Sequence, residues 1–106
     1  MTAAQLTVEE KRTDDEAVLI LNGEIDIATA SGLRDTARRT IASRPERLVL
    51  DFAGVTFCDS QGLSALIGLN KDVRAAGARL IFINVGDFMS RLLDITGLRA
   101  AFEEPA

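Results

Sequence analysis

The chain has 106 residues, carries a net charge of −4 and is 47% apolar and 26% charged, the composition of one folded domain rather than a disordered chain. It contains no histidine and no tryptophan or tyrosine, with five phenylalanines and one cysteine. A Ser-His-Asp triad, a Cys-His pair and His-containing zinc sites are therefore excluded. Aromatic stacking platforms and a basic surface are missing too, which argues against nucleic acid and anionic membranes as partners. The most apolar stretch, Ala17 to Leu21, is far short of the ~20 residues that span a bilayer. The segment MTAAQLTVEEKR has no basic-then-apolar leader pattern and Cys58 has no partner for a disulfide, so a cytoplasmic location is expected.

In chain order, Leu6 to Lys11 alternate, a polar turn Thr13-Asp14-Asp15-Glu16 follows, and AVLIL (17–21) ends at Asn22-Gly23. Two extended runs joined by a polar turn predict a hairpin. From Thr29 to Ser43 the period becomes helical, with Ala30, Leu33, Ala37 and Ile41 on one face, Thr29 or Ser31 as a cap and Pro45 just beyond. LVLDF (48–52) reads as a buried strand, and the connector AGVTFCD leads to a helix over 61–76 closed by Gly77. Leu63, Leu66, Leu69 and Val73 form its core face, with Ile67 at the flank. RLIFINV (79–85) is the next strand. Asp87 is expected to cap a third helix stopping at Gly97, with Leu98 in contact behind it. The tail RAAFEEPA offers at most a short edge strand.

The order β-β-α-β-α-β-α predicts an α/β fold with a mostly parallel sheet of four or five strands and about three helices, in one domain over 1–106. The three strand-to-helix loops, about 22–29, 53–60 and 85–88, should then share one sheet edge, where α/β proteins place their sites. Acids, glycines and a serine meet there. Ser60 is expected to cap the second helix, and a serine so placed presents its hydroxyl where free backbone N–H groups favour a phosphate. Asp59 reads as an acid near a helix start and Asp26 as a turn former. Cys58 reads as a small buried hydrophobe whose acidic neighbour raises its pKa.

GEIDIATA (23–30), VTFCDSQGLSALIGL (55–69) and MSRLLDITGL (89–98) together resemble the STAS family, named for sulphate transporters and anti-sigma factor antagonists, and within it the free-standing bacterial antagonists. The resemblance covers nearly the whole chain. It implies a phosphorylation switch; no cofactor and no intrinsic catalysis are expected. The unmodified antagonist binds an anti-sigma factor that is also a serine kinase, and so frees the sigma factor. Phosphorylation of the matching Ser60 ends binding, and a metal-dependent serine phosphatase restores it. Asp59 matches the acid before the acceptor, Asp26 matches an acidic contact to the kinase, and Gly62 and Leu63 complete the motif. Glu24, Thr29 and Gln61 join these as expected partner-binding residues. Cys58 stands where such proteins commonly carry another apolar residue, Gln61 replaces a frequent second serine, and the tail is too short for the C-terminal helix some members have. The same resemblance leaves open a STAS subunit of a membrane transport, lipid-trafficking or stress-sensing complex. A phospho-aspartate receiver fits poorly, because Asp14 and Asp15 fall in the first hairpin turn and neither Lys11 nor Lys71 follows a late strand. A nucleotide hydrolase lacks its GxxxxGK[ST] loop.

Overall fold

Apolar alternation at period two places Ala17, Leu19 and Leu21 on one side of their strand, and the sheet builds outward from that side. A computed structural model describes residues 5–96. Its elements are β1 (Leu6–Arg12), β2 (Glu16–Ile25), α1 (Ala30–Ile41), β3 (Arg47–Cys58), α2 (Ser60–Ala75), β4 (Arg79–Ile83) and α3 (Asp87–Thr96). The strands lie in the order β1-β2-β3-β4, with β1 antiparallel to β2 and the remaining pairs parallel. Ala17 pairs with Leu48 and Leu19 with Leu50, and Leu48 in turn pairs with Leu80. These residues point to one face. There they join Leu33, Ala37 and Ile41 of α1, Leu66, Leu69 and Val73 of α2, and Met89 and Leu93 of α3 in a single core. Burying each such leucine contributes about 1.5–3 kcal/mol, which fixes the register: a slip by one residue would turn every core side chain to the other face. Val49, one position out of phase, is buried yet stands apart from that cluster.

α1 and α2 are clasped by charge as well as by packing. Arg34 donates from Nε and Nη2 to the two oxygens of Asp72 at 2.8 and 3.2 Å, and Arg38 Nε adds a third bond at 3.2 Å. A Cβ at Gly68 would fall 2.6 Å from Arg34 Nη1, so the glycine leaves the guanidinium its channel. Among the described residues no helix is long and apolar enough to cross a membrane.

Several expected boundaries are corrected. β2 runs on through Asn22-Gly23 to Ile25, and β3 through the expected connector to Cys58. The two stay paired because β3 takes up an extra residue twice, opposite Ile20/Asn22 and opposite Gly23/Glu24. Each bulge bends β3 and shifts its alternation by one residue; with two of them the alternation is restored, and Cys58 shares the core face with Leu48 and Leu50. On its other side β2 meets the residue before β1 closely: Gly23 has φ +123°, and a Cβ there would sit 2.2 Å from the Gln5 carbonyl oxygen, which accepts from Glu24 N. β4 ends at Ile83 rather than Val85, where Asn84 turns into a left-handed conformation (φ 55°) and donates from its side-chain amide to Asp51 Oδ1 at 3.0 Å. Asp87 lies within the first turn of α3, not at its cap, since Ser90 N already donates to the Gly86 carbonyl. The expected stop at Gly97, the Leu98 contact and the tail lie outside the described residues.

Candidate functional site

Two loops of the strand edge become neighbours through one register pair. Ile25 and Cys58 are the last paired residues of β2 and β3, so Asp26 and Asp59 each take the next step off adjacent strands. Asp59 N donates to the Ile25 carbonyl at 3.2 Å, which pins the second loop to the end of the first strand. The third expected loop does not join them directly. β4 leaves the sheet opposite Asp51, well below the end of β3, and it is Phe88 in the first turn of α3 that reaches the rim by stacking on Phe57 (ring centroids 6.4 Å apart, planes at 20°).

Asp26 builds the first loop. Its Oδ1 accepts from Ala28 N at 2.9 Å and Thr29 N at 3.2 Å, while its carbonyl accepts from Ala30 N at 2.8 Å. An aspartate that folds its carboxylate back on the N–H groups ahead of it is the sequence signal for a turn, and the expected turn former is observed. Thr29 occupies the N-cap position of α1, but its hydroxyl makes no capping bond into the helix. It donates instead to the Glu24 carbonyl at 2.7 Å and accepts from Asp26 N at 3.0 Å. Thr29 thus ties the loop to β2. Glu24 contributes that carbonyl from within the strand, where it pairs with Phe57.

The second loop is a single residue long. Asp59 has extended backbone angles (φ −102°, ψ −172°) and its Oδ1 accepts from Gly62 N at 2.9 Å, so Asp59 is the N-cap of α2. This corrects the expectation that Ser60 caps. Ser60 is already the first helical residue, and it and Gln61 are exposed. Its hydroxyl is therefore free of the structural duty a cap serine would carry, while it stands at the positive end of the helix dipole. Gly62 is buried beneath it. A Cβ on Gly62 would lie 2.3 Å from the Ile25 carbonyl oxygen and 2.8 Å from Cys58 Sγ, so only glycine lets α2 start this close to the sheet. Leu63 is half-buried against the core. Cys58 is buried and its thiol is pushed up to about 11, first by desolvation and then by the Asp59 charge. It is a packing residue, not a nucleophile.

The arrangement is a rim with two carboxylates, an exposed serine hydroxyl and no enclosing walls. Between the starts of α1 and α2 lies a shallow cleft of about 250 Å³ bordered by Ser31, Arg34, Gln61 and Ser64. Sequence reasoning did not identify Phe57 and Phe88 as part of this rim. Their only signal was two aromatics that fall outside the apolar period of their elements.

A model described as the STAS domain matches residues 7–104. The chain belongs to the STAS domain family. Within that family it is 31% identical to the anti-sigma-B factor antagonist of Bacillus subtilis, a likeness that spans 89% of this chain and 85% of the relative. The anti-sigma-F factor antagonist RsfB of Mycobacterium tuberculosis is 29% identical, over 92% of this chain and 79% of the relative. Among solved structures, an anti-sigma factor antagonist from Mycobacterium paratuberculosis superposes with a TM-score of 0.79 at 28% identity, covering 96% of this chain and 87% of that one.

Proposed function

We propose that this chain is a cytoplasmic anti-sigma factor antagonist, acting as a single domain over 1–106. In its unphosphorylated form it binds an anti-sigma factor with serine kinase activity and releases the sigma factor. Phosphorylation of Ser60 ends the binding, and a metal-dependent serine phosphatase resets it. The names of the curated relatives support the antagonist role. The observation that carries the switch is an exposed Ser60 at the first position of α2, relieved of capping by Asp59 and flanked by Asp59 and Asp26 on one rim.

Magnitudes select the mechanism. A phosphate at a helix N-terminus stabilises the domain by about 0.3–2 kcal/mol, so unfolding does not explain loss of binding. In a closed interface each like-charge pair about 5 Å apart costs on the order of 1–3 kcal/mol. Phosphoserine brings about −1.5 to −2 charges beside Asp59, with bulk where none was fitted. A penalty of about 3–4 kcal/mol weakens binding by two to three decades. Repulsion and exclusion at the interface are sufficient. Asp26, Asp59, Glu24, Thr29, Gln61, Gly62 and Leu63 form the partner surface in this account, with the carboxylates opposite basic groups of the kinase.

The test combines the chain with the purified anti-sigma factor of the same host and Mg-ATP. One phosphate on Ser60 by mass spectrometry, none on Ser60→Ala, and retained binding by Ser60→Ala are expected. Uptake of phosphate by Ser60→Ala at the wild-type rate would falsify the assignment of the acceptor.

A further inference from the structure

Phe57 is 43% exposed and Phe88 46%, and their rings stack on each other beside the Asp59 loop. Exposed apolar residues scattered singly are ordinary; a stacked aromatic pair beside a candidate interface is not scattered. Both rings are held in place before any partner arrives. Phe57 sits in β3 opposite Glu24. Phe88 is carried by the first turn of α3, and the loop before that helix is fastened by the Asn84–Asp51 hydrogen bond. Rigid aromatics of this kind lose little side-chain entropy on binding, which is why they serve as anchors.

Acids border the pair: Glu24 is the register partner of Phe57, Asp87 precedes Phe88 in the first turn of α3, and Asp59 follows two residues after Phe57. That pattern selects among occupants. A second copy related by a two-fold axis would set this acidic rim against itself, and an anionic lipid surface would meet the same repulsion. A protein surface with an apolar centre and a basic border is complementary to it.

We propose that the Phe57–Phe88 pair is the apolar anchor through which this chain docks on its anti-sigma factor, taking up an aliphatic or aromatic side chain of that partner bordered by Lys or Arg. The proposal rests on the function given above and adds a specificity-determining contact outside the loop residues of the switch. Ser60 then controls whether the interface closes, and the aromatic shelf supplies much of its affinity.

Affinity for the purified anti-sigma factor of the same host is measured by calorimetry for wild type, Phe57→Ala, Phe88→Ala, the double variant, Ser60→Glu and Ile95→Ala. Ile95, 80% exposed and two turns beyond Phe88 on the same face of α3, marks the far limit of the anchor. Each phenylalanine variant should bind at least tenfold more weakly, and the double variant should lose less than the product of the two because the rings act as one unit. Those losses should persist between 50 and 500 mM salt, whereas the loss in Asp26→Asn should shrink. Ile95→Ala should bind as wild type. Circular dichroism checks the fold, and Phe88→Leu, which keeps an apolar side chain of similar volume, should recover part of the affinity. Wild-type affinity in folded Phe57→Ala and Phe88→Ala, alongside weak binding by Ser60→Glu, would overturn the anchor and leave the switch standing. If wild type itself does not bind, the parent function fails. Concentration-dependent dimerisation abolished by Phe88→Ala would assign the shelf to a second copy instead.

Discussion

Replacing Gly62 by alanine isolates the close approach on which the rim depends. The added methyl group would lie 2.3 Å from the Ile25 carbonyl oxygen and 3.0 Å from its carbon, with Cys58 Sγ at 2.8 Å. Real Cβ contacts stop near 3.0 Å, so the start of α2 must retreat by about 0.7 Å from the end of β2. Both obstructing atoms of Ile25 are backbone in a paired strand and cannot rotate away. Overpacking of this kind costs about 1–3 kcal/mol. Alanine is the better helix former by about 1 kcal/mol in a helix interior, and less in a first turn, so strain wins. The same retreat stretches the bond from Asp59 N to the Ile25 carbonyl. A net loss of about 1–2 kcal/mol is expected, which in a domain of this size lowers Tm by roughly 4–15 °C. Gly32, at the matching first-turn position of α1, is the internal control: its Cβ would meet nothing within 4 Å, so Gly32→Ala should stabilise, by at most about 1 kcal/mol. Urea unfolding followed by circular dichroism measures both. If Gly62→Ala is as stable as wild type while Gly32→Ala gains stability, the steric account of the α2 start is wrong.

Three further outcomes follow from the same geometry. Asp59→Ala should lose about 0.5–2 kcal/mol of stability as the cap is removed, whereas Asp59→Asn should stay near wild type because its amide oxygen can still accept from Gly62 N; equal losses in urea midpoints would show that the charge, not the cap, matters. The Arg34 hydrogen bond, supported by Arg38 and by both their charges, holds the Asp72 carboxyl below its ordinary value against desolvation. A depressed folded-state pKa means stability that is present above the unfolded value near pH 4 and lost as pH falls through the folded one. For this partly exposed pair the amount is about 0.5–1 kcal/mol, and Asp72→Asn should flatten that part of the pH–stability curve; an unchanged acid limb would refute the assignment. Finally, with its thiol raised to about 11, Cys58 should resist iodoacetamide at pH 8 in the folded protein and react once unfolded in urea. Rapid labelling of the native state would contradict its burial.

Much of this protein is local and therefore legible in its residues. Period-two and helical spacing order the strands and helices, because each pattern depends only on neighbours within a turn or a strand. Asp26 folding onto the N–H groups of Ala28 and Thr29 is likewise set within four consecutive residues. The cap of α2 was harder. Asp59 and Ser60 are adjacent and both suit an N-cap, and the choice fell to Asp59 because its backbone is extended where its N–H meets the Ile25 carbonyl, 34 residues earlier. The lengths of β2 and β3 were decided in the same way: Ala53-Gly54 breaks the apolar run between LVLDF and the strand-favouring Val55-Thr56-Phe57, yet two bulges let those residues stay paired to the end of β2. The rim itself is wholly tertiary. Asp26 and Asp59 are neighbours only because Ile25 and Cys58 share a register position, Arg34 finds Asp72 across 38 residues, and Phe88 reaches Phe57 from another element. Sequence periodicity settles which face of an element is buried; hydrogen-bond register between distant strands settles which loops meet, and that is where the surface acquired its shape.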